Sequence, residues 1–132
     1  MGYGFSLEST LDSDYDYTPL EIIDSIFPDR PVVIMEQTSH SMWVNSKALK
    51  IARISQQSPA PQGGAYLKDQ DNGKLNGILL DNAGDQIMEM AWNSQSELFE
   101  QSYQGLMFGL EEAAAHGITT IGDGRMYWKR GW

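Results

Sequence analysis

Five apolar residues follow one another without interruption in Pro31-Val32-Val33-Ile34-Met35. A run of this length with no polar alternation is the pattern of a strand buried on both faces, as parallel strands are in α/β folds. Such a strand has to be covered by helices, and helix signals flank it on both sides. Thr18-Pro19-Leu20-Glu21 is a capping box opening a short helix that Pro28 ends, with Leu20, Ile23 and Phe27 on one face. A second helix is expected over about 46–53, capped by Asn45, with Ala48, Leu49 and Ala52 turned inward.

Residues 55–63 have loop composition. The segments 64–69 and 74–80 flank Gln70-Asp71-Asn72-Gly73, whose Asn-Gly pair accepts positive φ, so a β-hairpin is predicted. Ile87, Met88, Ala91 and Trp92 recur at helical spacing over 83–92. Ser94-Gln95-Ser96-Glu97 reads as a second capping box opening the longest helix, about 95–115, with a stripe of Phe99, Tyr103, Leu106, Leu110 and Ala113. Gly117 stops that helix, and Ile118-Thr119-Thr120-Ile121 reads as a second buried strand before Gly122-Asp123-Gly124. Two buried strands separated by helices, with a hairpin between them, predict an α/β class, or α+β if the chain is an excised piece. The 132 residues make one domain or segment: a loose acidic stretch over 1–17, helix-strand-helix over 18–54, loop and hairpin over 55–82, and helices with a returning strand over 83–132.

Charge and composition remove several function classes. Eighteen acidic against nine basic residues leave a formal charge of −9, a field that repels phosphate backbones and argues against nucleic-acid binding. Seven acids stand in residues 1–29 and no base precedes Arg30, which fits a solvated acidic segment or a flank facing a cationic partner. The Asp12, Asp14, Asp16 series is no EF-hand, because Tyr17 and Ile23 occupy the positions that need glycine and glutamate. The absence of cysteine excludes a disulfide scaffold, a thiolate metal site and a cysteine nucleophile. No apolar run is long enough to cross a bilayer and no basic-then-apolar leader opens the chain, so a soluble protein without membrane partners is expected, its compartment left open among cytoplasm, periplasm and exterior.

Chemistry in α/β folds gathers where strands end, which directs attention to Gln37–His40 and to Asp123. His40, in Gln37-Thr38-Ser39-His40-Ser41, either faces a ligand mouth or is a hydrogen-bonded structural histidine. His116 suits the negative end of a helix dipole. Asp81 and Asp123 are candidate carboxylate ligands or helix caps, with capping the simpler role for Asp81, while Trp43, Met88, Met90 and Trp92 read as core. The two histidines form neither H-x-H nor H-E-x-x-H, and no Walker A loop or G-x-S-x-G elbow is present. No catalytic site is complete in the chain, and no metal ligand set can be assigned within it.

A resemblance adds to this reading. Asp29-Arg30-Pro31-Val32-Val33-Ile34 followed by His40-Ser41-Met42-Trp43-Val44-Asn45-Ser46-Lys47-Ala48-Leu49 resembles a signature of the amidohydrolase family 3 branch, the exoenzyme regulatory protein and N-substituted formamide deformylase-like hydrolases. Gly2-Tyr3-Gly4, Asp71-Asn72-Gly73-Lys74-Leu75-Asn76-Gly77-Ile78-Leu79 and His116-Gly117-Ile118-Thr119-Thr120-Ile121-Gly122-Asp123 are similar to further family pieces in the same order. The resemblance implies a fragment of a TIM-like amidohydrolase barrel with a small β-hairpin insertion. The whole protein would then hydrolyse C–N bonds of amides or formamides with a divalent metal, zinc, and a small amide-type substrate. It implies that the family's early H-x-H and later histidines lie outside this chain, which would be an internal segment, inactive alone. It also implies that His40, Asn45, Asp81 and Asp123 contribute to substrate binding. Many members of the family it resembles have glutamate in "G-x-L-x-E-x-A", where this chain has the shorter Asp81.

Two other features of the sequence fit different roles. The charge asymmetry fits a non-enzymatic acidic binding module. Buried-type strands without neighbours fit a homo-oligomer joined through exposed strand edges.

Overall fold

A computed structural model of the chain describes residues 1–11, 16–94 and 96–122. It divides into two compact units, Met1–Gln95 and Ser96–Trp132. In the first, β1 (Gly2–Phe5), α1 (Leu7–Leu11), α2 (Pro19–Ile26), β2 (Val33–Glu36), β3 (Ser41–Val44), α3 (Ser46–Ile51), β4 (Gly64–Lys68), β5 (Leu75–Asp81) and α4 (Asn82–Asn93) follow in order. The second contains α5 (Leu98–Ala115). Among the described residues no helix is long and apolar enough to cross a membrane.

The strands form one open mixed sheet in the order β1-β2-β3-β5-β4, parallel between β1 and β2 and antiparallel elsewhere. Consecutive residues of a strand face opposite sides of the sheet. On β3, Met42 lies against Gly84 of α4, while the Trp43 indole donates to the Pro19 carbonyl of α2 at 2.8 Å. The two helices therefore cover opposite faces of the sheet. Ile23 of α2, Val44 of β3 and Ile78 and Leu79 of β5 are almost wholly buried between these layers. Each such side chain contributes about 1.5–3 kcal/mol by leaving water.

Local signals explain most elements. Both arms of the capping box at Thr18 form: the hydroxyl accepts from Glu21 N, and Glu21 accepts from Thr18 N at 2.8 Å. Asn45 caps α3 by accepting from Ala48 N, with Ala48 and Leu49 buried as expected. The β4–β5 turn closes at Asn72-Gly73, with Gly73 at φ +68°. Gly117, at φ +75°, follows α5 as its stop.

Several expectations are corrected. Residues 2–5 are not loose: they pair with β2, a partner some thirty positions away that no local pattern in Gly-Tyr-Gly-Phe announces. The two-strand plan is replaced by a single sheet, in which β3, hidden in a short stretch beside a polar turn, joins β2 to the hairpin. The second capping box does not form: Ser94 serves as the C-cap of α4, its hydroxyl donating to Ala91 O, and α5 starts at Leu98 without a side-chain cap. Residues 118–121 are not a strand, and Ile118 and Ile121 are exposed. A strand exists only by pairing, and no described strand pairs with this segment. Likewise the α5 stripe is not turned into a core; Phe99 is 80% exposed.

Candidate functional site

The sheet register creates the site. A tight turn joins β2 to β3, with Ser39 N donating to Glu36 O at 2.9 Å and Ser39 at φ +64°. β3 then runs antiparallel to β5 with Ser41 opposite Leu80, and one step further Asp81 N donates to His40 O at 2.7 Å. Two residues forty-one positions apart thus meet at the end of a two-strand ladder. Their side chains join as well: His40 Nδ1 lies 2.9 Å from Asp81 Oδ1.

This contact is not explained by stability. The side chains of His40 and Asp81 are 72% and 53% exposed, and exposed ion pairs contribute roughly 0–1 kcal/mol. Against that stand two local costs. Asp81 is held at φ +47°, ψ −125°, a region that costs a non-glycine residue about 1–3 kcal/mol. It occupies the N-cap position of α4 yet makes no side-chain cap hydrogen bond, forgoing about 1 kcal/mol. The capping role expected of Asp81 is therefore corrected: its carboxylate turns away from the helix amides and toward the imidazole. Positive φ stands at one end of this contact, Asp81, and at Ser39, the residue before the other end. An imidazole engaged through one ring nitrogen leaves the other for binding or proton transfer.

The other candidates fall elsewhere. Asn45 does not line a mouth: it is 0% exposed and all its polar capacity is used inside the protein. Its Oδ1 accepts from Val32 N at 2.9 Å and Ala48 N at 3.0 Å, and its Nδ2 donates to Phe27 O at 3.0 Å and Arg30 O at 2.8 Å. It ties the α2–β2 connection to the start of α3, and so fixes the strand pair that carries His40. Asp123 lies outside the described residues. His116 keeps to its helix end, its Nδ1 2.8 Å from Glu112 O.

Two buried polar side chains near His40 were not anticipated. Glu36, 7% exposed, ends β2 and accepts at Oε2 from Thr38 N at 3.1 Å and from the Thr38 hydroxyl. Ser41, 3% exposed, has a hydroxyl with no partner among the described residues. The available signal was a carboxylate set directly after an apolar run, at the end of a buried strand.

Among the described residues no three His, Asp or Glu side chains converge, so they do not form a cage for the divalent metal that the resemblance implies. A largely apolar groove of about 640 Å³ lies between α3 and α4, lined by Val33, Ala48, Ile51, Ile87 and Met90 among others, with neither His40 nor Asp81 on its walls.

The fold and the site thus define a mixed α/β protein with a strained His-Asp contact at its strand ends. The chain belongs to the amidohydrolase family, which matches residues 1–132. It is 43% identical to YtcJ of Bacillus subtilis, a putative amidohydrolase by name, over 74 residues, 56% of this chain and 14% of that protein. It is 28% identical to N-substituted formamide deformylase of Arthrobacter pascens over 102 residues, 76% of this chain and 19% of that enzyme. Exoenzymes regulatory protein AepA of Pectobacterium carotovorum is 24% identical over 102 residues, 76% of this chain and 22% of that protein. The chain thus spans between 14% and 22% of the length of these relatives. No solved structure matches it significantly.

Proposed function

We propose that this chain is part of a hydrolase acting on non-peptide C–N bonds of small amides or formamides, and that His40 and Asp81 sit at its substrate mouth. The hydrolase class rests on family membership across residues 1–132, and the bond type on the likeness to the Arthrobacter formamide deformylase. The siting rests on one observation, the exposed His40–Asp81 contact held at the expense of backbone strain at Asp81. In this reading a TIM-like barrel surrounds the segment in the whole protein, and residues outside these 132 hold a divalent metal, zinc. Asp123 joins the mouth on the resemblance alone. The chain by itself then has no turnover.

The test compares the chain with the longer protein that contains it, assayed for amine release from N-substituted formamides. Turnover by the longer protein, none by the chain, and a drop in kcat/KM of about tenfold or more in His40→Ala would support the reading. Turnover by the chain alone would overturn it. An inactive longer protein that captures a cationic ligand would favour an acidic binding module, for which the seven acids of residues 1–29 speak.

A further inference from the structure

We infer that Asp81 is a positioning residue that holds His40 in one tautomer, Nδ1–H donated to the carboxylate, so that Nε2 presents a lone pair to an N–H of the substrate. The inference rests on the function proposed above and names the kind of amide preferred: one that keeps a hydrogen on nitrogen.

The geometry carries it in three steps. First, a carboxylate is only an acceptor, so a neutral imidazole 2.9 Å away at Nδ1 must carry its proton there. The tautomer rule then leaves Nε2 bare, and a bare imidazole nitrogen seeks a donor. Second, the arrangement is imposed by the backbone. Asp81 N donates to His40 O at 2.7 Å, so both residues are fixed at Cα before their side chains meet. Third, the conformation that aims Asp81 at the imidazole is one an aspartate adopts at a cost, and it leaves α4 without a side-chain cap. A residue present for folding would relax into the cap. Strain that persists at an exposed contact points to the contact's use.

Glycine at position 81 separates this role from a structural one. Glycine accepts positive φ freely, so Asp81→Gly removes the carboxylate while relieving the strain. On the chain itself, above the ordinary titration range of histidine, a long-range ¹H–¹⁵N spectrum is expected to show Nδ1 protonated and Nε2 bare at His40. Asp81→Gly is expected to lose that bias with stability unchanged or raised, and Asp81→Glu to restore it in part. A wild-type His40 protonated at Nε2, or an Asp81→Gly spectrum identical to wild type, would overturn the positioning role.

In the longer protein, an N-monosubstituted formamide is expected to exceed its N,N-disubstituted counterpart in kcat/KM by about tenfold, a margin lost in His40→Ala. If C–N hydrolysis is found but His40→Ala leaves that ratio unchanged, the inference fails and the hydrolase reading stands. If the tautomer is as expected but no C–N bond is cleaved, the positioning survives, while the hydrolase reading and the substrate N–H contact fall.

Discussion

Asn45 shows how much one side chain can organise. Two acceptor and two donor contacts converge on it at zero exposure. Its carboxamide alone has both kinds of group in the required places. An aspartate in its place would keep the acceptor contacts but leave the carbonyls of Phe27 and Arg30 facing a buried charge with no hydrogen to share. Asn45→Asp is therefore expected to destabilise the first unit by about 3 kcal/mol or more, measured by urea unfolding. A loss below about 1 kcal/mol would mean that the network repacks and that Asn45 is not its centre. Half of this role was readable in the sequence, because a cap is a local relation between Asn45 and Ala48. The other half, and the His40–Asp81 contact with it, depends on long-range pairing. Neither residue's neighbours in sequence announce that a strand register will bring position 40 to position 81.

At the level of elements, what could be read ahead was what short-range chemistry decides. The Thr18 capping box, the Asn45 cap, the Asn72-Gly73 turn and the Gly117 stop are each complete within a few residues. β3 escaped notice because four residues between a polar turn and a cap carry too little pattern. Its place is enforced from the other side, by β5. Gly77 adopts φ +88°, and a Cβ there would lie 2.9 Å from Val44 O and 3.1 Å from Leu20 Cα, both backbone atoms. α2 and the end of β3 can approach β5 this closely only over a glycine. Gly77→Ala is expected to cost about 2–4 kcal/mol by thermal unfolding, and to weaken the His40–Asp81 contact by loosening the β3–β5 ladder. Unchanged stability would show that the strand slides without penalty and that the register is not pinned at this point.

Across the whole molecule, an apolar pattern alone did not reveal what would cover it. The stripe on α5 has helical spacing, yet no described side chain of that helix is buried. The first unit, by contrast, closes a core around Ile23, Val44, Ile78 and Leu79. A helix whose stripe is left uncovered is weakly held, because the nucleation cost of a helix is offset mainly by packing. Gly105 and Gly109 inside α5 weaken it by about 1 kcal/mol each relative to alanine. Hydrogen bonds of such a helix open locally and often. Hydrogen exchange of the chain, followed by mass spectrometry, is thus expected to run at least about 100-fold faster over 101–112 than over 77–80. Equal protection of α5 and β5 in the chain alone would show that the helix already has its packing partner and that its apolar face is satisfied without further sequence.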